Sequence, residues 1–379
     1  MDYIEKNIVQ PLIKKMLEPI AKKIMSFRFT FKRAISILIV LVFSVLFFLY
    51  YQDTVYCFEA ITNKNLYIKD KAKIDTLISD LSKSVSDDYN NLRGDDLNNA
   101  WGSSQMLISI FNEDKIDTGI YFDFSKMNKL TNGTFDEQKP PIVTHYASTG
   151  WVLSTFGLLH YSMLDSTILA VLRGQLSEGG WPMYPTNDQT FGSTYATAYI
   201  LSGLTKISPY IIDPSIKDSV DRHVHTAINW IKESQDNETK LWKDYPNYLS
   251  TDSKLSKPLT SIVLHTLKVL GQYTSSDVRD FILRERNLYD NGILTSDISA
   301  VYYPKTQRRD ATIVNNYWQL LSLKDMYESC SIPQKIIVLR YLNKEIDNID
   351  LFRIKQTNIW NKSELLIVLR HLRDNYCII

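Results

Sequence analysis

Clusters of small, helix-opening residues recur along the chain at a period near fifty residues, and that period constrains the fold more than any other feature. They fall at Ala100, Ala147, Ser193, Pro258, Asp310 and Asn361. Between them lie segments whose apolar residues return at helical spacing, at 71–88, 165–176, 218–236, 277–288 and 333–347. Fifty residues are too many for one helix and suit one helical hairpin with its loop. A hairpin cannot bury its apolar face alone, so neighbours must stack. The spacing therefore predicts an all-α chain whose inner helices close a ring of about six hairpins. Glycine and proline number 13 and 12 in 379 residues, which favours helices over a turn-rich β fold. The stretch 113–143 shows little helical pattern.

A motif runs in phase with this period. Gln175-Leu-Ser-Glu-Gly-Gly-Trp181 reads Gln-x3-Gly-x-Trp and leads through a loop into the small and apolar residues of 192–198. Gln235 and Trp242 form a second copy without the glycine. Phe281 to Arg286 with Gly292 form a third, and Gln356 with Trp360 a fourth. This pattern resembles the glutamine–tryptophan repeat of the terpenoid cyclases and protein prenyltransferases, the squalene cyclase-like α/α toroids. The resemblance covers about residues 70–375. It implies that each Gln caps a neighbouring helix and stacks on its Trp, which is a structural role.

The N-terminus reads differently. Residues 1–33 are basic, and Ile4, Ile8, Leu12, Met16, Ile20 and Ile24 recur every four positions. That pattern suits an amphipathic helix on an anionic membrane face or a solvated basic leader. Residues 34–51 are uncharged and rich in Ile, Leu, Val and Phe, and a helix of that length reaches roughly 27 Å. The expectation is a basic cytoplasmic segment at 1–33, a single transmembrane helix at 34–51, a linker at 52–70 and an α/α toroid at 71–379. The basic excess before the span places the toroid outside the cytoplasm.

Charge excludes a nucleic-acid footprint, since 43 Lys+Arg face 42 Asp+Glu. No Cys-x-x-Cys is present, and the six histidines are scattered, so no metal or cofactor is expected. His145 is kept as an acid/base candidate. Cys330 and Cys377 follow neighbouring inner helices and are either a pair or two buried thiols.

Loops entering the inner helices are long and rich in aromatics and charges, and in an α/α ring they share one rim. Trp181, Tyr184, Phe191, Trp242, Tyr302, Lys305, Arg308 and Arg309 are the ligand-binding candidates there, and Asp95, Asp188 and Asp310 the catalytic ones. The Asp-x-Asp-Asp acid of class II terpenoid cyclases is absent. The segment from Lys305 to Trp318 is similar to a late segment of prenyltransferase β-subunits, with Asp310 opening a helix. Ile313 stands where that family has its zinc-binding His, which removes the zinc chemistry. The resemblance implies a membrane-anchored toroid binding an isoprenoid or lipid-linked substrate, with Lys305, Arg308 and Arg309 on a diphosphate. Two alternatives stand beside it. One is a non-catalytic toroid that recognises a protein or ligand. The other is an extracytoplasmic glycan-active α/α-barrel using carboxylates among Asp95, Asp188, Asp244, Asp297 and Asp310.

Overall fold

The computed structural model describes residues 15, 17–19, 37–45, 51–62, 71–91, 100–110, 145–160, 165–184, 191–247, 254–284, 295–303, 308–350, 354–355, 357 and 359–374. The chain divides into two compact units, Met1–Thr62 and Asn63–Ile379.

In the first unit, residues 37–45 are helical and helix α1 spans Tyr51–Thr62. The expectation of a transmembrane helix over 34–51 is corrected here. Among the described residues no helix is long and apolar enough to cross a membrane. The single-pass topology, the cytoplasmic N-terminus and the extracytoplasmic toroid all rested on that span and fall with it. Residues 34–36 and 46–50, and most of the basic segment 1–33, lie outside the described residues.

The second unit is mostly helical. In chain order it holds α2 (Lys71–Asn91), α3 (Ala100–Ile110), α4 (Tyr146–Leu158), α5 (Asp165–Arg173), α6 (Thr194–Ile207) and α7 (Pro214–Glu233). Then come α8 (Lys257–Val269), α9 (Ser275–Arg284), α10 (Gln319–Tyr327), α11 (Ile332–Asp347) and α12 (Ile359–Asp374). Helix α3 packs on α4, α4 on α6, α6 on α8, α8 on α10, α10 on α12, and α12 back on α3. The contacts thus run round a cycle. Helices α4, α6 and α8 are buried on nearly every face. Helix α7 instead buries one stripe, Ile216, Val220, Ala227, Ile228, Trp230 and Ile231, and lies against α6 and α5. That contrast separates inner helices from outer ones.

Polar side chains start these helices. Ser193 accepts from the backbone N–H of Ala196, Ser256 from that of Leu259 and Asp213 from that of Ser215, each satisfying an orphan donor of the first turn. Helices α4 and α6 approach backbone to backbone. A Cβ on Gly203 would lie 2.6 Å from the carbonyl oxygen of Gly150, so glycine is required for this contact.

The Gln–Trp copies are built alike. Gln175 donates to the carbonyls of Gly179 and, across to α7, His223, at 2.7 and 2.9 Å. The Trp181 indole donates back to Val171, and its backbone N–H donates to Thr197 on α6. In the second copy Gln235 donates to Lys240, the Trp242 indole to Ile231 and its backbone N–H to Thr260 on α8. Each Trp thereby ties the end of an outer helix to the start of the next inner one.

Among the described residues two short antiparallel strand pairs interrupt the helices. Strand β1 (Trp242–Lys243) pairs with β2 (Leu255–Ser256), and β3 (Ser296–Tyr303) with β4 (Arg308–Asn315). The second corrects an expectation. Asp310 does not open an inner helix but sits in β4 opposite Val301, and the inner helix α10 begins after a 3-10 turn at Asn316–Trp318. The local sequence explains this. Thr312 and Val314 are buried and Ile313 between them is 53% exposed, the period of a strand.

Candidate functional site

Asp95, Asp188 and Lys305 lie outside the described residues. Tyr302, Arg308, Arg309 and Asp310 belong to the β3–β4 hairpin, with Tyr302 opposite Arg309. Trp181 and Trp242 are both 0% exposed and hydrogen-bonded through their indoles, so they serve the core rather than presenting a face to a ligand. Tyr184 is buried, its ring 4.8 Å from that of His145. Phe191 meets Tyr245 edge-on at 5.7 Å. His145 is the N-cap of α4. Its Nδ1 accepts the backbone N–H of Ser148 at 3.1 Å, which is a structural role.

Two buried carboxyls do stand out, both at the starting ends of inner helices. Asp244 follows β1 and is 0% exposed. Its Oδ1 accepts the Ser193 hydroxyl at 2.7 Å and the Tyr195 backbone N–H at 3.0 Å, and its Oδ2 accepts the Thr312 hydroxyl at 2.6 Å. It therefore fastens the loop after Trp242 to the cap of α6 and to β4. Glu364, in the second turn of α12, is 4% exposed. Its Oε1 accepts from Gln105 on α3 at 2.9 Å. Its Oε2 accepts from Asn315 at 2.9 Å, the Tyr317 hydroxyl at 2.8 Å and the Trp318 indole at 3.2 Å. Burial pushes both carboxyls above the usual carboxylate range, and the hydrogen bonds pull against it.

The surroundings are aromatic. Tyr195 and Tyr199 meet edge to face at 4.7 Å, and Trp151 lies 4.8 Å from Tyr199. Burial raises the Tyr195 phenol most. Tyr199 and the charges of Glu364 and Asp244 raise it further, so this one side chain senses both carboxyls.

The two carboxyls can each accommodate a proton. The Tyr195 backbone N–H on Asp244 Oδ1 only donates and favours the anion, whereas the Thr312 hydroxyl on Oδ2 can also accept from a protonated carboxyl. Among the partners of Glu364, Gln105 can reverse. Its Oε1 has no hydrogen-bond partner among the described residues, so a flip of the amide lets a protonated Glu364 donate to it. Either carboxyl can thus hold a proton, Glu364 toward Gln105 and Asp244 toward the Thr312 hydroxyl. Asp244 was within reach of the sequence as the acid next to the second repeat Trp. Glu364 was missed because a single acid within a helix carries no local signal.

A second group of side chains was also missed. His265, Asp325 and His371 come together in the last two turns of α8, α10 and α12, all buried. They are one residue per hairpin, so no short motif announces them.

No protein-family model matches the chain, and no curated protein sequence matches it. Among solved structures, a glycoside hydrolase of family 105 from C. acetobutylicum ATCC 824 is similar over 58% of this chain and 70% of its own length, at 9% identity and a TM-score of 0.37. A likeness that loose assigns neither architecture nor activity. None of these comparisons supports the terpenoid cyclase and prenyltransferase resemblance.

Proposed function

We propose that residues 71–379 form an α/α toroid that acts on a glycan, with Glu364 as general acid and Asp244 as its carboxylate partner. The ring reading is supported by the cyclic contacts of α3, α4, α6, α8, α10 and α12. The catalytic reading is carried by one observation: two carboxyls buried at the starting ends of inner helices among aromatic residues, Asp244 on the Tyr195 N–H and Glu364 on Tyr317 and Trp318. Glycoside cleavage needs such a pair. One carboxyl donates its proton to the leaving glycosidic oxygen. The other, ionised, attacks the anomeric carbon or activates water. Glu364 can keep a proton because Gln105 can accept from it, and the Tyr195 N–H on Asp244 supports the ionised form that a carboxylate partner needs. Aromatic rings beside the pair suit the apolar face of a sugar. The isoprenoid reading draws no comparable support, because Arg308 and Arg309 belong to strand β4 rather than to a helix N-terminus.

A specific observation favours a second reading, a non-catalytic recognition toroid. Four donors bond Glu364 and three bond Asp244, as expected of purely structural nodes. The test is release of reducing ends from a panel of oligosaccharides and polysaccharides of different linkage. Glu364→Gln and Asp244→Asn are each expected to lower a detected activity by at least about 100-fold with the helical signal retained. A chain that cleaves nothing yet binds one glycan favours recognition. A chain that neither cleaves nor binds any of them sinks both glycan readings.

A further inference from the structure

We infer that His265, Asp325 and His371 form a binding site for one divalent transition-metal ion of the zinc class. The inference stands apart from the proposed glycan activity. His371 lies two helical turns beyond Glu364 on α12, roughly 10 Å along the axis.

The three residues come from three inner helices that are neighbours in the cycle, α8, α10 and α12. They are 2%, 3% and 6% exposed, and one ligand atom from each lies within 4.8 Å of the others. Tetrahedral ligands at about 2.0–2.1 Å from Zn²⁺ are roughly 3.3–3.5 Å apart. A separation of 4.8 Å must therefore shrink by about 1.3–1.5 Å and the 2.7 Å His265–Asp325 pair must open by about 0.6–0.8 Å, within reach of side-chain rotation. His265 Nδ1 and Asp325 Oδ2 are already 2.7 Å apart, and the His265 and His371 rings lie edge to face at 4.8 Å. An ion seated among them takes over the His265–Asp325 hydrogen bond.

The donor set selects the metal. Two imidazoles and one carboxylate suit Zn²⁺ and its neighbours, whereas Ca²⁺ and Mg²⁺ want oxygen alone. Outer partners are in place as well. Lys268 Nζ lies 3.1 Å from Asp325 Oδ1 and so fixes that carboxylate, and Lys324 donates to the backbone carbonyl of His371. The Lys268 side chain is 30% exposed and can turn to solvent when the ion brings positive charge. Three protein ligands leave a fourth position for water. Bound there, the ion fastens three successive inner helices at the ends opposite the carboxyl pair.

The test uses the full-length chain, stripped with EDTA and dialysed. It is titrated with Zn²⁺ by calorimetry and with Co²⁺ by visible absorption, and its melting temperature is followed. One equivalent of Zn²⁺ and a rise in melting temperature are expected, with Co²⁺ bands of low-coordinate nitrogen and oxygen ligation. Outer-shell losses cost roughly 10–100-fold in affinity, so losing a ligand in His371→Ala should cost more than about 100-fold and abolish the rise. Because removing a buried His can itself unfold the ring, His265→Gln is read in parallel, and both variants must keep the helical signal of the untreated chain at low temperature. His223→Ala and His225→Ala, on outer helix α7, should bind as the parent does. Failure of the parent to bind one equivalent overturns the site. So does unchanged affinity in a folded His371→Ala or His265→Gln.

Discussion

Tyr317 donates its hydroxyl to Oε2 of Glu364 at 2.8 Å, and so ties the 3-10 turn after β4 to the second turn of α12. A hydrogen bond to a charged acceptor contributes about 1.5–3 kcal/mol. Tyr317→Phe removes one of four donors from a buried carboxylate. We expect it to cost about 2 kcal/mol at neutral pH and to raise the proton affinity of Glu364 further. Urea unfolding at pH 7.5 and at mildly acid pH checks this, because the cost should shrink once Glu364 is protonated. An equal cost at both values would mean that the carboxyl does not titrate there.

Burial holds Asp244 and Glu364 above their unfolded proton affinities. The native chain therefore takes up protons on them before the unfolded chain does, and their burial penalty is relieved as pH falls through the folded values. Asp325 works the other way. Burial pushes it up, but the charges of His265 and Lys268 outweigh that and hold it at about 2. Hydrogen bonds from Ser215, Thr239 and Thr274 likewise lower Asp213, Asp236 and Asp277. The stability these four add is present above about pH 4 and is lost as pH falls toward their folded values. Stability should therefore rise as pH falls through the folded values of Asp244 and Glu364, and drop below about pH 4 as the four lowered carboxyls protonate. Denaturant midpoints across this range measure it, and Glu364→Gln should flatten the rise on the neutral side.

The outer helices were legible because each buries one stripe. The expected segments at 218–236 and 333–347 became Pro214–Glu233 and Ile332–Asp347. Inner starts at Ala100, Ser193 and Pro258 were legible through their small and capping residues. Asp310 misled because an Asp before Ala and Thr reads as a helix cap, while the alternating burial of Thr312, Ile313 and Val314 appears only once β3 is beside them. The apolar run at 34–51 misled because hydropathy alone reads a span, whereas among the described residues no helix is long and apolar enough to cross a membrane. The carboxyl pair was half legible. Asp244 stands two residues after Trp242, but Glu364 acquires its meaning from Gln105, 259 positions away. The His265, Asp325 and His371 group needed the inner helices aligned end to end, which six scattered histidines do not suggest.

Lys240 occupies the place in the second Gln–Trp copy that Gly179 fills in the first. Both have positive φ, +59° and +108°. A non-glycine residue in the left-handed region costs roughly 1–2 kcal/mol. Glycine costs back about 0.5–1 kcal/mol in unfolded-state entropy. Lys240→Gly should therefore stabilise the protein by up to about 1 kcal/mol, provided the Gln235 bond to its carbonyl survives. A shift of the urea midpoint to higher concentration with unchanged slope is the expected reading.

The contact between α4 and α6 offers the opposite case. A Cβ on Gly203 would stand 2.6 Å from both the Gly150 carbonyl oxygen and the Leu153 Cβ, and one on Gly150 would stand 2.5 Å from the Tyr199 carbonyl carbon. Backbone atoms cannot swing aside as a side-chain tip can, so a methyl group at either position must push the two helices apart. Overpacking of this kind costs about 1–3 kcal/mol. Gly203→Ala should sit at the upper end, because moving α6 also shifts Tyr199 against Trp151 and strains the cap that Asp244 holds at Ser193. Near-ultraviolet circular dichroism should report the altered Tyr199–Trp151 packing alongside a lowered melting temperature. A Gly203→Ala protein with the parent's spectrum and melting temperature would show that α4 and α6 do not touch as closely as described.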